Sequence, residues 1–349
     1  MAQRTYLAGD LGGTKTLLSL FTSVDGQLQA LEGQRYASAE WTSLEAMLTH
    51  FLEGLPSELE RPATSCMAVA GPVQNGQAKL TNLPWEMSEA SLCAATGLER
   101  LELVNDFAVL IHGLPHFSDS QQVVLQPGQD RLKEPGAHGD SVAILGAGTG
   151  LGMARGIPGP QGWIALASEG GHREFAPRTE QEWALSRWLM ADLGIDRLSI
   201  ERIVSGTGLG HVMHWLLQQE QREHPLHRIA RAWRTIPAEQ PGHQDLPAHT
   251  GKAAATGDPL AQAALELWLG AYGSAAGDLA LQELCSGGLW VGGGTAGKNL
   301  AGLRSQHFLA PLRRKGRFQP FLESLTIRAV IDPNAGLFSA ACRARALDA

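Results

Sequence analysis

The tetrapeptide Val104-Asn105-Asp106-Phe107 closes the apolar run LELV and sets an amide beside a carboxylate. A carboxylate at the carboxyl end of a strand is well placed in a cleft. Asp106 can take the proton of a substrate hydroxyl as that oxygen attacks phosphorus. Asn105 both donates and accepts, which suits a polyol. The plain alternative is an Asx turn that simply ends the strand. The second constellation is Ser168-Glu169-Gly170-Gly171-His172-Arg173-Glu174-Phe175. Two glycines free the backbone to aim Glu169 and His172 at one point. A carboxylate there accepts hydroxyl protons and an imidazole donates or accepts, which makes a clamp for sugar hydroxyls. Glu201, in SIERIVSGTG, sits on an expected helix start and can join the clamp; its plain alternative is a first-turn glutamate favoured by the helix dipole. The HxE at 172–174 has no PCxxC after it, so a zinc deaminase is set aside.

Glycine is abundant, 41 of 349 residues, and it clusters three times. Gly9 to Lys15 reads GDLGGTK, Gly146 to Gly152 reads GAGTGLG, and Gly292 to Gly294 ends the run GGLWVGGG. None gives the strand–GxGxxG–helix spacing of a dinucleotide site, which argues against a dehydrogenase. Gly292 to Asn299 has the spacing of a P-loop, but Asn299 replaces the Ser or Thr that would ligate magnesium. A different device remains. A hairpin carrying Asp10, Gly12, Gly13 and Thr14 can curl its N–H groups around a phosphate, with Asp10 holding a hydrated Mg²⁺. The turn at 146–150 can grip the same tail from the other side.

These residues need elements to hold them. Residues 5–9, 16–24 and 27–36 read as strands, the last two joined at Asp25-Gly26. Ser43 to Leu55 has helical spacing, and 65–71 and 101–106 read as buried strands. The first hundred residues thus read β-β-β-α-β-α-β, an α/β layer. Strand 141–145 leads through its glycine loop into a second strand and a turn at 156–162. Helices are expected at 179–193, 197–218, 259–285 and 334–346. Residues 219–258 read as a helix fragment plus a long polar excursion. Six of the twelve histidines fall between 211 and 250, and they read as solvated surface, not as a metal site.

Composition sets bounds. A chain of 349 residues suggests about two domains. A net charge of -7 argues against nucleic acid or an anionic membrane as the main partner. Cys66, Cys93, Cys285 and Cys342 form no CxxC pair, so a reducing cytoplasm is expected and a Cys-based zinc site is not. No signal peptide and no run of 18 apolar residues is found.

In order along the chain, GDLGGTK, TNLPW at 81–85, VNDF, GAGTGLG, EGGHREFAP, ERIVSGTGL and VGGG at 291–294 resemble the bacterial glucokinases, members of the actin-like sugar kinase superfamily. The resemblance runs from about residue 5 to residue 342. It implies transfer of the γ-phosphoryl group of ATP, with Mg²⁺, to the 6-hydroxyl of glucose, giving glucose 6-phosphate at the entry to glycolysis. Asp106 is then the base. Asn105, Glu169, His172 and Glu201 meet the glucose hydroxyls, with Gly150 beside them. Gly9, Asp10, Gly12, Gly13, Thr14, Lys15, Gly148, Thr149 and Gly150 make the phosphate loops, and Gly293 and Gly294 the adenosine side. Lys15 stands where many relatives carry Asn. The implied fold is two α/β domains, 1–107 plus 332–349 and 108–331, in the hexokinase-type arrangement with a cleft, and family members are commonly homodimers. A kinase for mannose or glucosamine, an acetate-type kinase and a non-catalytic sugar sensor are the alternatives. A sensor needs no base, and a short acid needs no clamp of this size.

Overall fold

The computed structural model describes residues 4–80, 83–129, 140–160 and 162–348. Thr81 and Asn82 of the TNLPW motif lie outside the described residues. The chain opens with strands β1 (Thr5–Leu11), β2 (Lys15–Val24) and β3 (Gln27–Ala37), then helix α1 (Leu44–Glu53) and β4 (Thr64–Val69). Short strands β5 (Val73–Gln74), β6 (Gln77–Lys79) and β7 (Glu86–Ser88) precede α2 (Glu89–Thr96), β8 (Arg100–Asn105) and α3 (Leu110–Gly113). Next come β9 (Gln122–Gln126), β10 (Val142–Ala147), β11 (Leu151–Gly159) and β12 (Gly162–Ser168). Five helices follow: α4 (Glu180–Leu193), α5 (Gly206–Gln219), α6 (Leu226–Thr235), α7 (Leu246–Ala255) and α8 (Pro259–Glu283). The chain ends with β13 (Gly288–Gly292), α9 (Leu300–Leu303), α10 (Gln306–Arg313), α11 (Gln319–Ser324), β14 (Ile327–Val330) and α12 (Ala335–Leu347).

Two compact units result. The first comprises 1–122, 154–167 and 332–349, and the second 123–153 and 168–331. In the first, five strands lie in the order β3-β2-β1-β4-β8. The hairpins are antiparallel and β1, β4 and β8 run parallel. The Asp25-Gly26 turn has positive φ at both residues, 51° and 80°, the mirror-image turn that suits the strand twist. One face of the sheet takes α1, whose Leu44, Met47, Leu48, Phe51 and Leu52 recur at helical spacing and are buried. Ser43 caps that helix by accepting the Ala46 N–H, a contact that contributes about 0.5–2 kcal/mol. The other face takes α12, whose Ala340, Ala341 and Ala344 pack with Ala8, Cys66 and Ala68. Small residues on both sides let the helix sit close to the strands.

Register matters more than the strand count. Leu11 pairs with Val69 and Val69 with Asn105. The hairpin that starts at Gly12 and the Asp106 turn therefore leave the same edge of one sheet, two strand spacings or roughly 10 Å apart.

In the second unit β10, β13 and β14 run parallel, within a six-stranded sheet of order β12-β11-β10-β13-β14-β9. Gly146 pairs with Gly292, so the loops after β10 and β13 also leave one sheet edge together. The core is a single cluster with Trp268, Tyr272 and Phe308 at its centre, all fully buried.

Several expectations fail. Residues 197–205 are not α-helical; a 3-10 turn at Ile200–Arg202 precedes α5, and Ser205 caps α5. The expected turn at 156–162 is mostly strand, because β11 runs to Gly159 and β12 starts at Gly162. The small sheet β5-β6-β7 interrupts the α/β layer. The polar excursion is two helices, α6 and α7. His211 is not solvated: it is buried, and its Nδ1 lies 2.9 Å from the Arg202 carbonyl. No group of three metal-ligating side chains occurs among the described residues, and none of their helices is long and apolar enough to cross a membrane.

Candidate active site

The carboxyl edge of the first sheet carries the phosphate-type hairpin. Gly12 N–H donates to the Lys15 carbonyl at 2.9 Å and closes a four-residue turn. Ser38 braces it from the side. Its Oγ donates to the Gly12 carbonyl at 2.9 Å and lies 3.0 Å from Thr16 Oγ1, and its N–H donates to the Thr14 carbonyl at 3.2 Å. Thr14 and Lys15 are exposed at the tip. Gly9 lies inside β1, where a Cβ would stand 2.2 Å from Met67 Sδ; it makes room for the layer beneath the loop. Asp10, next in line, has no hydrogen-bond partner among the described residues. Burial pushes its carboxyl pKa up, and Lys15 opposes this.

The Asp106 side of the same edge is built by Asn105. Its Oδ1 accepts the N–H groups of Phe107 and Ala108 at 3.1 and 3.0 Å, and its Nδ2 donates to the Gly71 carbonyl and to Asp106 Oδ1, both at 3.1 Å. The Asx turn weighed from the sequence is therefore present, and it serves to aim the neighbouring carboxylate. All four hydrogen-bonding positions of the amide are in use. A sugar hydroxyl binding there would take over the N–H that now points at Asp106. Asp106 reaches the surface of its unit, yet the protein around it is dense. Burial first, and then the negative charge of Asp10, raise its pKa to about 6, against the N–H groups of Phe107 and Asp106 and the Asn105 amide. A carboxyl whose ionisation is hindered by burial and by a neighbouring negative charge suits a base working near neutral pH.

The second unit carries the clamp. Glu169 Oε2 and His172 Nε2 are 3.8 Å apart, and their side chains are 83% and 58% exposed. Their backbone is fixed although their tips are open. His172 N–H donates to the Glu169 carbonyl at 2.9 Å, and Arg173 Nε to the Gly170 carbonyl at 3.2 Å. The glycines here serve packing more than φ: a Cβ on Gly171 would lie 2.3 Å from the Leu151 carbonyl oxygen. The clamp is sewn to the Glu201 turn by Ile200 N–H to the Arg173 carbonyl at 2.8 Å and Arg197 Nη1 to the His172 carbonyl at 2.8 Å. Glu201 Oε2 accepts the Leu151 N–H at 2.8 Å, and a Cβ on Gly150 would come within 2.5 Å of that oxygen. Gly150, Glu169, His172 and Glu201 are thus neighbours in one unit.

Gly148 and Thr149 meet Gly293 and Gly294 through shared partners. Thr295 donates both its N–H and its Oγ1–H to the Ala147 carbonyl, at 3.1 and 2.7 Å. Gly293 has φ of 81°, and a Cβ there would stand 2.6 Å from the same oxygen. The loop closes on itself by Gly148 N–H to the Gly150 carbonyl at 2.8 Å. The sequence reading missed two contributors. Gly206 N–H donates to the Gly148 carbonyl at 2.7 Å and Thr207 Oγ1 to the Thr149 carbonyl at 3.2 Å, which brings the start of α5 to the loop. The SGTG run at 205–208 was the signal, read only as the tail of the Glu201 segment. Thr295 was legible as the residue after the third glycine cluster. Asn299, where a P-loop would need a hydroxyl, spends its Nδ2 on the Thr295 carbonyl at 2.9 Å and so anchors the turn.

The sequence matches the family model described as Glucokinase over residues 7–347. It is 37% identical to a glucokinase of Trichormus variabilis over 346 residues, covering 97% of this chain and 98% of the relative. Its structure is similar to that of a glucokinase from an Antarctic psychrotroph, with TM-score 0.81, 28% identity and 98% of both chains covered. It also resembles a ROK family glucokinase of Streptomyces griseus solved with glucose and AMPPNP, with TM-score 0.57, 20% identity, and 98% and 99% of the two chains covered. The actin-like ATPase fold expected from the motifs therefore stands. With a family model spanning nearly every residue and a relative this similar over its full length, the chain belongs to the glucokinase family.

Proposed function

We propose that the enzyme transfers the γ-phosphoryl group of ATP to the 6-hydroxyl of glucose. Asp106 takes the hydroxyl proton, the sugar oxygen bonds to phosphorus, the bond to the β-phosphate oxygen breaks, and ADP leaves. Asn105, Glu169, His172, Glu201 and the close approach at Gly150 recognise the sugar hydroxyls. Gly12, Gly13, Thr14 and Lys15 receive the phosphate tail on the hairpin, and Gly148, Thr149, Gly293 and Gly294 receive the rest of the nucleotide. The observation that carries this reading is Asp106, a carboxyl held near pKa 6 on the sheet edge that also bears the phosphate-type hairpin.

Asp10 fits a magnesium ion: a half-buried carboxylate without a hydrogen-bond partner among the described residues, on a hairpin shaped for phosphate. With a single nearby protein carboxylate besides Asp106, waters and phosphate oxygens would complete its coordination. The ion would neutralise charge on the transferred group. The reading also takes in a cytoplasmic homodimer working at the entry to glycolysis, which rests on the family.

A coupled assay over glucose, mannose and glucosamine with ATP and Mg²⁺ tests the assignment. Glucose should give the highest kcat/KM by at least tenfold. Equal or better turnover of another hexose would reassign the substrate, and no turnover of any sugar would leave the sensor reading. Light scattering in solution tests the dimer.

A further inference from the structure

We infer that Trp268 and Tyr272 are positioning residues for the nucleotide loops, holding two of them in register from the buried middle of α8; this rests on the phosphotransfer reading above. The two residues are four apart, so they share one face of the helix about 6 Å apart along its axis. Both are fully buried, with ring centroids 5.2 Å apart, and Phe308 meets Tyr272 edge to face with centroids 5.5 Å apart. Each ring carries one polar atom, and each polar atom is spent on backbone at a loop. Ala147 N–H donates to Tyr272 Oη at 3.1 Å. Trp268 Nε1–H donates to the Ser205 carbonyl at 3.0 Å.

The two anchored residues are not arbitrary. Each immediately precedes a residue that bonds the opposite loop: Ala147 precedes Gly148, Ser205 precedes Gly206, and Gly206 N–H donates to the Gly148 carbonyl at 2.7 Å. Four bonded points therefore close a ring of two aromatic anchors on one rigid helix and two adjacent loops. Glycine-rich backbone has little stiffness of its own. Here the stiffness comes from a 25-residue helix packed through the core. Leucine or phenylalanine would fill these core positions without polar atoms, so the indole and the phenol are explained by their backbone partners. The anchors also differ in reach. Ser205 Oγ donates to the Glu201 carbonyl at 2.7 Å, so Trp268 is tied to the sugar clamp, whereas Tyr272 is tied only to the 146–150 loop and the Thr295 turn on Ala147.

The test uses the full-length protein with Tyr272→Phe and Trp268→Phe, and Leu322→Ala as a core control on α11. Amide hydrogen exchange reads the loops without any ligand. Tyr272→Phe should speed exchange at 146–150 at least tenfold, and Trp268→Phe should do so at 205–208. Unchanged protection in both overturns the inference whatever the enzyme's substrate. Calorimetry with AMPPNP then reads the consequence. Tyr272→Phe should weaken binding about fivefold or more and leave the glucose KM within twofold, while Trp268→Phe should raise both. Leu322→Ala should lower the melting temperature and leave AMPPNP affinity within twofold. If Leu322→Ala weakens AMPPNP as much as Tyr272→Phe does, the effect is general loss of stability and the inference falls. Failure of the wild-type protein to bind AMPPNP would instead overturn the phosphotransfer reading, with the exchange result standing apart.

Discussion

The two sheet edges solve the same problem in opposite ways. In the first unit the reactive side chain is held by another side chain: Asn105 spends every donor and acceptor to fix the turn and aim Asp106. In the second unit the side chains of Glu169 and His172 are open, and it is the backbone beneath them that is fixed, by main-chain bonds and by glycines admitting no Cβ, while Glu201 holds the Leu151 N–H. The difference follows the chemistry. A base must have the right pKa before substrate arrives, and that needs neighbours already in place. A hydroxyl clamp needs free donors and acceptors, so the precision has to sit one covalent step back.

The sharpest way to break this contrast is Asp106→Asn. General-base removal costs about 10²–10⁴ in rate, and turnover should fall by that range while glucose affinity stays within a few fold. A variant that keeps a tenth of wild-type kcat would end the assignment. In the wild type, the acid limb of kcat/KM should fall with a midpoint near pH 6. An unshifted carboxylate would place that limb two units lower.

Next come the clamp residues. Glu169→Gln and His172→Ala should each raise the glucose KM by about 5- to 150-fold, the equivalent of 1–3 kcal/mol for one unsatisfied polar group, with the ATP KM nearly unchanged. Equal changes in both constants would mean that the exposed side chains act on folding and not on sugar.

Gly150→Ala probes the backbone strategy without replacing a polar side chain. The new methyl would enter the space of Glu201 Oε2, 2.5 Å away, and push it off the Leu151 N–H. About a tenfold rise in glucose KM is expected. A neutral outcome would show that the Glu201 turn is softer than its bonds suggest.

The smallest effect lies in stability. Burial and the Asp10 charge raise the folded pKa of Asp106 to about 6, from 3.8 for a free carboxyl. The native state thus binds the proton more tightly. That stabilisation is complete below about pH 4 and is lost as pH rises through 6. Asp106→Asn should therefore melt higher than wild type at pH 7.5 and converge with it near pH 4. A melting-temperature difference independent of pH would remove burial and Asp10 as the cause of the shift.

Much of the proposed site is written in local sequence. VNDF, EGGH and the three glycine clusters are each contiguous, and strand–turn–strand punctuation placed the first two hairpins. What stayed hidden is non-local or weakly patterned. The link from Gly206 to Gly148 spans 58 positions, and that from Tyr272 to Ala147 spans 125. No periodicity reports such bonds. Strands β5 to β7 hold two or three residues each, too few for alternation to show. Residues 197–205 carry apolar spacing that a 3-10 turn and a loop satisfy as well as a helix would. In the polar stretch 219–258 helix α6 carries Leu226, Ile229, Ala230 and Trp233 at helical spacing, a short signal outweighed by the charged and amide residues around it.

The helix α12 has a consequence for synthesis. It covers Ala8, Cys66 and Ala68 on the first sheet, and it is tied there by Thr64 Oγ1 to the Ala344 carbonyl at 2.9 Å, Arg343 Nε to Glu102 at 2.6 Å and Arg100 Nη1 to the Leu347 carbonyl at 2.8 Å. A ribosome makes strands β1 to β8 early and this helix late. Through most of translation the unit that carries Asp106 has a bare apolar sheet face, while the second unit is already complete in sequence at residue 331. The early sheet must therefore be kept from other apolar surfaces until its cover emerges.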